Sequence, residues 1–118
     1  MNSEGNNQSI DIDVISQELH VRPEVLKRII ASFSKTLTEK VINLEQALLK
    51  SNTVGMRALL HEIRGTSGNL RLAKIYSAAM DLHEAVKANA EREKLSRFLS
   101  VLREHSAALD EFITKGAM

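Results

Sequence analysis

Between Leu26 and Leu48 the apolar residues fall at Leu26, Ile29, Ile30, Phe33, Leu37, Val41, Leu44 and Leu48, with no glycine or proline in between. Spacings of three and four over that length are the signature of one long helix with a single buried stripe. Such a helix cannot stand alone in water, so the chain must supply partners for the stripe. Three more stripes do so. The second runs Met56, Leu59, Leu60, Ile63 and Leu70, and the third runs Leu72, Ile75, Tyr76, Ala79, Leu82 and Val86. The fourth runs Leu95, Phe98, Leu99, Leu102, Leu109, Phe112 and Ile113.

The connections between stripes are short, near 51 to 53, 70 to 72 and 87 to 93, which makes successive helices antiparallel neighbours. The only proline, Pro23, stands where a first helical turn accepts it. A further short helix is expected at about 11 to 19. The fold class that follows is all-α: an up-and-down antiparallel four-helix bundle with a short additional N-terminal helix. At 118 residues the chain holds one core. We expect a disordered polar tail over 1–8 and one helical domain over 9–116.

Charge and composition narrow the function. A formal net charge of +1 offers no general attraction to phosphate backbones, and aromatic residues at 3% leave no base-stacking platform, so nucleic acid is not an expected partner. No apolar run is long enough to span a bilayer, and the first residues lack a secretory pattern, so neither membrane insertion nor export is expected. Cysteine is absent. A cytoplasmic location and a monomer, with all four stripes used internally, are the corresponding expectations.

One stretch departs from good helix chemistry. "HEIRGTSGNL", residues 61 to 70, carries two glycines within the second stripe, each costing roughly 0.5 to 1 kcal/mol relative to alanine in a helix interior. At about 100° per residue, Met56, Leu59, Leu60, Ile63, Ser67 and Leu70 point one way, while His61, Gly65 and Gly68 gather on the roughly opposite side. The histidine then faces water beside ground cleared of side chains. Arg57 and Arg64 flank it at minus four and plus three, where cations stabilise an anion formed on the ring, a phosphoryl group above all. The competing explanation is that Gly65 or Gly68 ends the helix in a left-handed cap. A zinc-protease helix is a weaker rival, because the second histidine that such a motif needs is replaced by Gly65.

The segment from Leu59 to Val86 resembles the histidine phosphotransfer domain of two-component phosphorelays. That family's motif is a histidine, any residue, an aliphatic residue, lysine or arginine, glycine, and a small residue two positions on. Here these are His61, Ile63, Arg64, Gly65 and Ser67, followed by Gly68, Asn69 and Leu70. "VRPEVLKRIIASFSKTL" is similar to the family's long second helix, including Phe33, and the resemblance spans about 10 to 113. It departs at Arg71, often glycine in the family, which adds a cation about one turn from the site, and at His83, usually glutamate.

The resemblance implies a phosphorelay intermediate and not an enzyme. His61 would accept a phosphoryl group from a receiver-domain aspartate and pass it to another receiver, with Arg64 stabilising the phosphoryl group. Response-regulator receivers and a hybrid sensor histidine kinase would be its partners. No cofactor would be bound by this chain, because magnesium belongs to the receiver. Arg57, Ala58, Gly65, Gly68 and Arg71 are the expected docking residues. Ile42, placed level with His61 by an antiparallel turn and on the same side as Leu49, is added as an apolar anchor. The alternative is a non-phosphorylated adaptor that binds receiver or kinase domains to scaffold or inhibit signalling. His83 falls on an apolar stripe and reads as a hydrogen-bonded structural histidine, and His20 and His105 receive no role.

Overall fold

A computed structural model describes residues 10–116, so the expected tail over 1–8 lies outside the described residues. The described chain is all-helical, in the order α1 (Ile12–Leu19), α2 (Pro23–Leu49), α3 (Thr53–Asn69), α4 (Ala73–Lys87) and α5 (Arg92–Thr114). None of these helices is long and apolar enough to cross a membrane.

The helix starts follow local chemistry. Asp11 caps α1 by accepting from the Val14 amide at 3.2 Å, and Asn52 caps α3 by accepting from the Gly55 amide at 2.9 Å. Each satisfies a backbone donor that the helix itself cannot. Pro23 occupies the first turn of α2, where its missing N–H is not required. The ends share another device: His20, Ser51, Arg71 and Asn89 follow α1 to α4, each with φ between 53° and 60°. All four inter-helix turns therefore use a left-handed residue that is not glycine. Through them the connections shrink to Lys50–Asn52, Leu70–Leu72 and Ala88–Glu91 between the four longer helices.

α2 packs on α3 and α5, α4 packs on α3 and α5, and α1 packs on α2. The four long helices thus touch in a closed ring. At 27 residues α2 is about 40 Å long, matching the 41 Å long axis of the molecule. Leu26, Ile30, Leu37 and Leu44 of α2 are fully buried, as are Met56, Leu60 and Ile63 of α3, Leu82 of α4 and Leu102 of α5. The stripes are the core with few exceptions. Ile29 is 42% exposed and lines an open groove against α3 with Val25, Phe33 and Thr66. Leu59, Tyr76, Phe98, Phe112 and Ile113 are half-buried at the core's edge.

Ser67, the small residue after Gly65, is fully buried. Its hydroxyl donates to the Ile63 carbonyl at 2.6 Å, so the one polar atom it brings to the core is satisfied within its own helix.

Candidate functional site

α3 is continuous from Thr53 to Asn69, and neither Gly65 nor Gly68 has positive φ. A left-handed cap at either glycine is therefore ruled out, and that conformation falls instead on Arg71, with φ 60°. Both glycines are helix-interior residues, and their surroundings differ. Gly65 is exposed, and a Cβ added there would meet nothing within 4 Å. Gly68 differs: an added Cβ would lie 3.3 Å from Cδ1 and Cε1 of Tyr76. Its task is close packing of α3 on α4, and only Gly65 leaves open surface.

His61 is exposed, eight residues into a helix of 17. The two edges of α3 are identified by their contacts. Glu62 bonds Lys40 of α2 at 3.1 Å, whereas Gly68 meets Tyr76 and Arg64 meets His83 of α4. On the helix wheel His61 lies within about 60° of Arg64 and about 20° of Gly68, which places it toward α4. Val54, Arg57, Ala58, His61, Glu62 and His83 line one shallow concavity of about 580 Å³. Arg57 and Ala58 thus stand where the sequence puts them, beside the imidazole.

Ile42 requires correction. It is 51% exposed, but Lys40, paired with Glu62, marks the edge of α2 that faces α3, and Ile42 lies about 200° further round the helix. It shares the opposite edge with Thr38 and Glu45. Thr38 lines a groove with Asp110 and Ile113 of α5, and Glu45 pairs with Arg103 of α5. An antiparallel turn sets the level of a residue on α2 but not the edge of the helix it occupies. The exposed apolar residue that does join His61 is Val54, 74% exposed on the same strip of α3.

Arg71 is also displaced from its expected place. It is ten residues from His61, about 15 Å of helix rise, rather than one turn away. Its Nη1 donates to the Gly68 and Asn69 carbonyls at 3.2 and 3.3 Å, and its Nε faces Glu18 of α1 at 3.5 Å. The side chain closes the C-terminus of α3 and ties α1 to it.

Arg64 is half-buried. Its Nη1 donates to Nδ1 of His83 at 2.9 Å, and its buried Nε has no partner among the described residues. No ion pair among the described residues engages Arg57 or Arg64. The nearby acids are committed elsewhere, Glu62 to Lys40 at 3.1 Å and Glu84 to Lys87 at 3.6 Å. Glu62 shares the concavity with His61 but is paired with Lys40, so the two guanidinium groups near the imidazole are left without a carboxylate partner of their own, an arrangement that attracts an anion.

His83 is buried, as its place on the stripe implies. Burial, with the positive charge of Arg64 next in importance, holds its pKa below the ordinary 6.5. Arginine can only donate, so Nδ1 must accept and Nε2 carries the proton. Sequence reasoning found neither this contact nor the role of Val54. The 19-residue separation of Arg64 and His83 gives no local signal of the first, and Val54 lies outside the motif. No protein-family model, curated protein or solved structure matches this chain.

Proposed function

We propose that this chain is a phosphorelay intermediate: a histidine phosphotransfer protein that receives a phosphoryl group on His61 from a receiver-domain aspartate and hands it to another receiver. The observation that carries the reading is the exposed imidazole in mid-helix, with open surface at Gly65, Arg57 lining the same concavity and Arg64 held on His83 at its edge, neither arginine in an ion pair among the described residues. The ring of contacts among α2 to α5 supports an up-and-down antiparallel four-helix bundle as the platform, with α1 as the additional short helix. A cytoplasmic monomer is the setting that suits this role.

In the step proposed, the lone pair on the outer ring nitrogen, Nε2 of His61, attacks phosphorus in line with the aspartyl oxygen. The N–P bond forms, the P–O bond breaks, the aspartate leaves as its carboxylate, and the Nδ1 proton is released to solvent. Such transfer needs positioning and charge stabilisation and little else. Arg64 and Arg57 meet the charge on the phosphoryl oxygens. The magnesium and the carboxylates around it belong to the receiver, which makes this chain a carrier rather than an enzyme. Val54 and Ala58 supply apolar contact area, and Gly65 permits close approach.

The test is incubation of the wild type and His61→Gln with a phosphorylated receiver, followed by assay for acid-labile phosphate. Label on the wild type alone is expected. Receiver binding without label on either protein would refute transfer and favour an adaptor.

A further inference from the structure

Arg64 can stabilise a phosphoryl group only if something holds its guanidinium without neutralising it. A carboxylate would hold it firmly and cancel its charge. In this molecule the partner is an imidazole. The Nη1 to Nδ1 contact of 2.9 Å occupies one of five N–H donors. Nε contributes no partner of its own among the described residues, and His83 lines the same concavity as His61. We infer that His83 is a positioning residue: its Nδ1 lone pair fixes Arg64 beside the His61 concavity and leaves the guanidinium's charge available to a phosphoryl group on His61.

This rests on the phosphotransfer reading and adds a dependence to it. The hydrogen bond exists only while His83 is neutral, because an imidazolium has no lone pair at Nδ1 and would repel Arg64. The charged and titratable groups facing His83 are Arg57, His61, Glu62 and Arg64 from α3 and Glu84 and Lys87 from its own helix. The two acids among them are each shared with a lysine, Glu84 with Lys87 and Glu62 with Lys40. Protonation of His83 therefore releases Arg64 and lowers the reactivity of His61 toward phosphoryl donors. That loss is additional to any effect of protonating His61 itself.

The test uses the intact chain and potassium phosphoramidate, a small N–P donor that needs no cognate receiver. The donor's N–P bond breaks, a new N–P bond forms on His61, and the imidazole proton leaves with ammonia. Phosphohistidine is quantified by mass and by ³¹P NMR, with His61→Gln as the control for other histidines. His83→Leu, which removes the acceptor, should slow labelling about five-fold or more, the order expected for loss of a charge-assisted hydrogen bond. Arg64→Ala should slow it similarly, and the double variant no further. His83→Gln, whose amide oxygen can accept from Arg64, should stay within about two-fold of wild type. The ratio of wild-type to His83→Gln rates should fall as pH falls through the titration of His83, followed by its imidazole resonances. In ¹⁵N spectra His83 should be the Nε2–H tautomer.

Wild-type labelling with an unchanged rate in folded His83→Leu, or with the proton found on Nδ1, overturns the inference and leaves the phosphotransfer reading standing. Absence of label on wild-type His61 from both phosphoramidate and a phosphorylated receiver overturns the two together.

Discussion

Gly65 and Gly68 stand three residues apart in one helix and should respond oppositely to the same small change. At Gly65 an added methyl meets nothing within 4 Å, so Gly65→Ala should recover the helix propensity that glycine forfeits, about 0.5 to 1 kcal/mol. For a domain of this size that gain raises Tm by about 2 to 6 °C. At Gly68 the same gain is opposed by a contact 3.3 Å from the Tyr76 ring, which must give by a few tenths of an ångström. Gly68→Ala should therefore be neutral or destabilising. Urea unfolding followed by circular dichroism measures both.

The functional half uses Gly65→Phe. A large side chain on open surface should leave the fold within about 1 kcal/mol of wild type and slow transfer from a phosphorylated receiver about ten-fold or more. Labelling by phosphoramidate should hardly change, because the small donor does not need the cleared ground. A receiver transfer rate equal to wild type in Gly65→Phe would refute the clearance argument, and a destabilised Gly65→Ala would refute the structural basis beneath it.

Three further outcomes follow from other parts of the molecule. Arg71→Gly should be more stable than Arg71→Ala by about 1 kcal/mol in urea unfolding, since both lose the Glu18 pair but only glycine relieves φ 60°. Burial chiefly lowers the pKa of both His83 and His105, so the folded state favours their neutral forms. The stability this contributes is full above the ordinary 6.5 and is lost as pH falls below it through the folded values. Stability should therefore fall with acidification in that window and fall less in His83→Gln, whereas an unchanged slope in that variant would exclude His83 as a source. Val54→Asp should weaken receiver binding about ten-fold in calorimetric titration while Ile42→Asp leaves it unchanged; the reverse ranking would restore the α2 edge as the docking face.

The stripes were readable because burial repeats with the helix: Leu26, Ile30, Leu37 and Leu44 need no information beyond their spacing. The exposure of His61 was readable for the same reason, as the complement of Met56, Leu60 and Ile63. What the pattern could not carry was the identity of the helix neighbouring each edge. Ile42 was misplaced because a turn sets the level of two residues but not their rotation about their own helices. The difference between Gly65 and Gly68 depended on Tyr76, and the setting of Arg64 on His83, each across a seam between α3 and α4. Arg71 looked like part of a cationic strip because its backbone conformation, which turns it toward α1, has no marker when the residue is not glycine.

The closed ring of helices also has a kinetic consequence. The α2–α3, α3–α4 and α4–α5 seams each join helices separated by a connection of a few residues, so they form by local loop closure at small entropic expense. The α2–α5 seam is of another kind. It brings Arg103 to Glu45 across 58 positions and Arg92 to the Leu49 carbonyl across 43, and it closes the ring only after the intervening helices have turned back. It is thus the contact set that a folding transition state can leave unmade, and the one whose loosening would first govern the unfolding rate. His61 lies by the opposite seam, between two helices adjacent in sequence, so the surface around it can be assembled before the ring has shut.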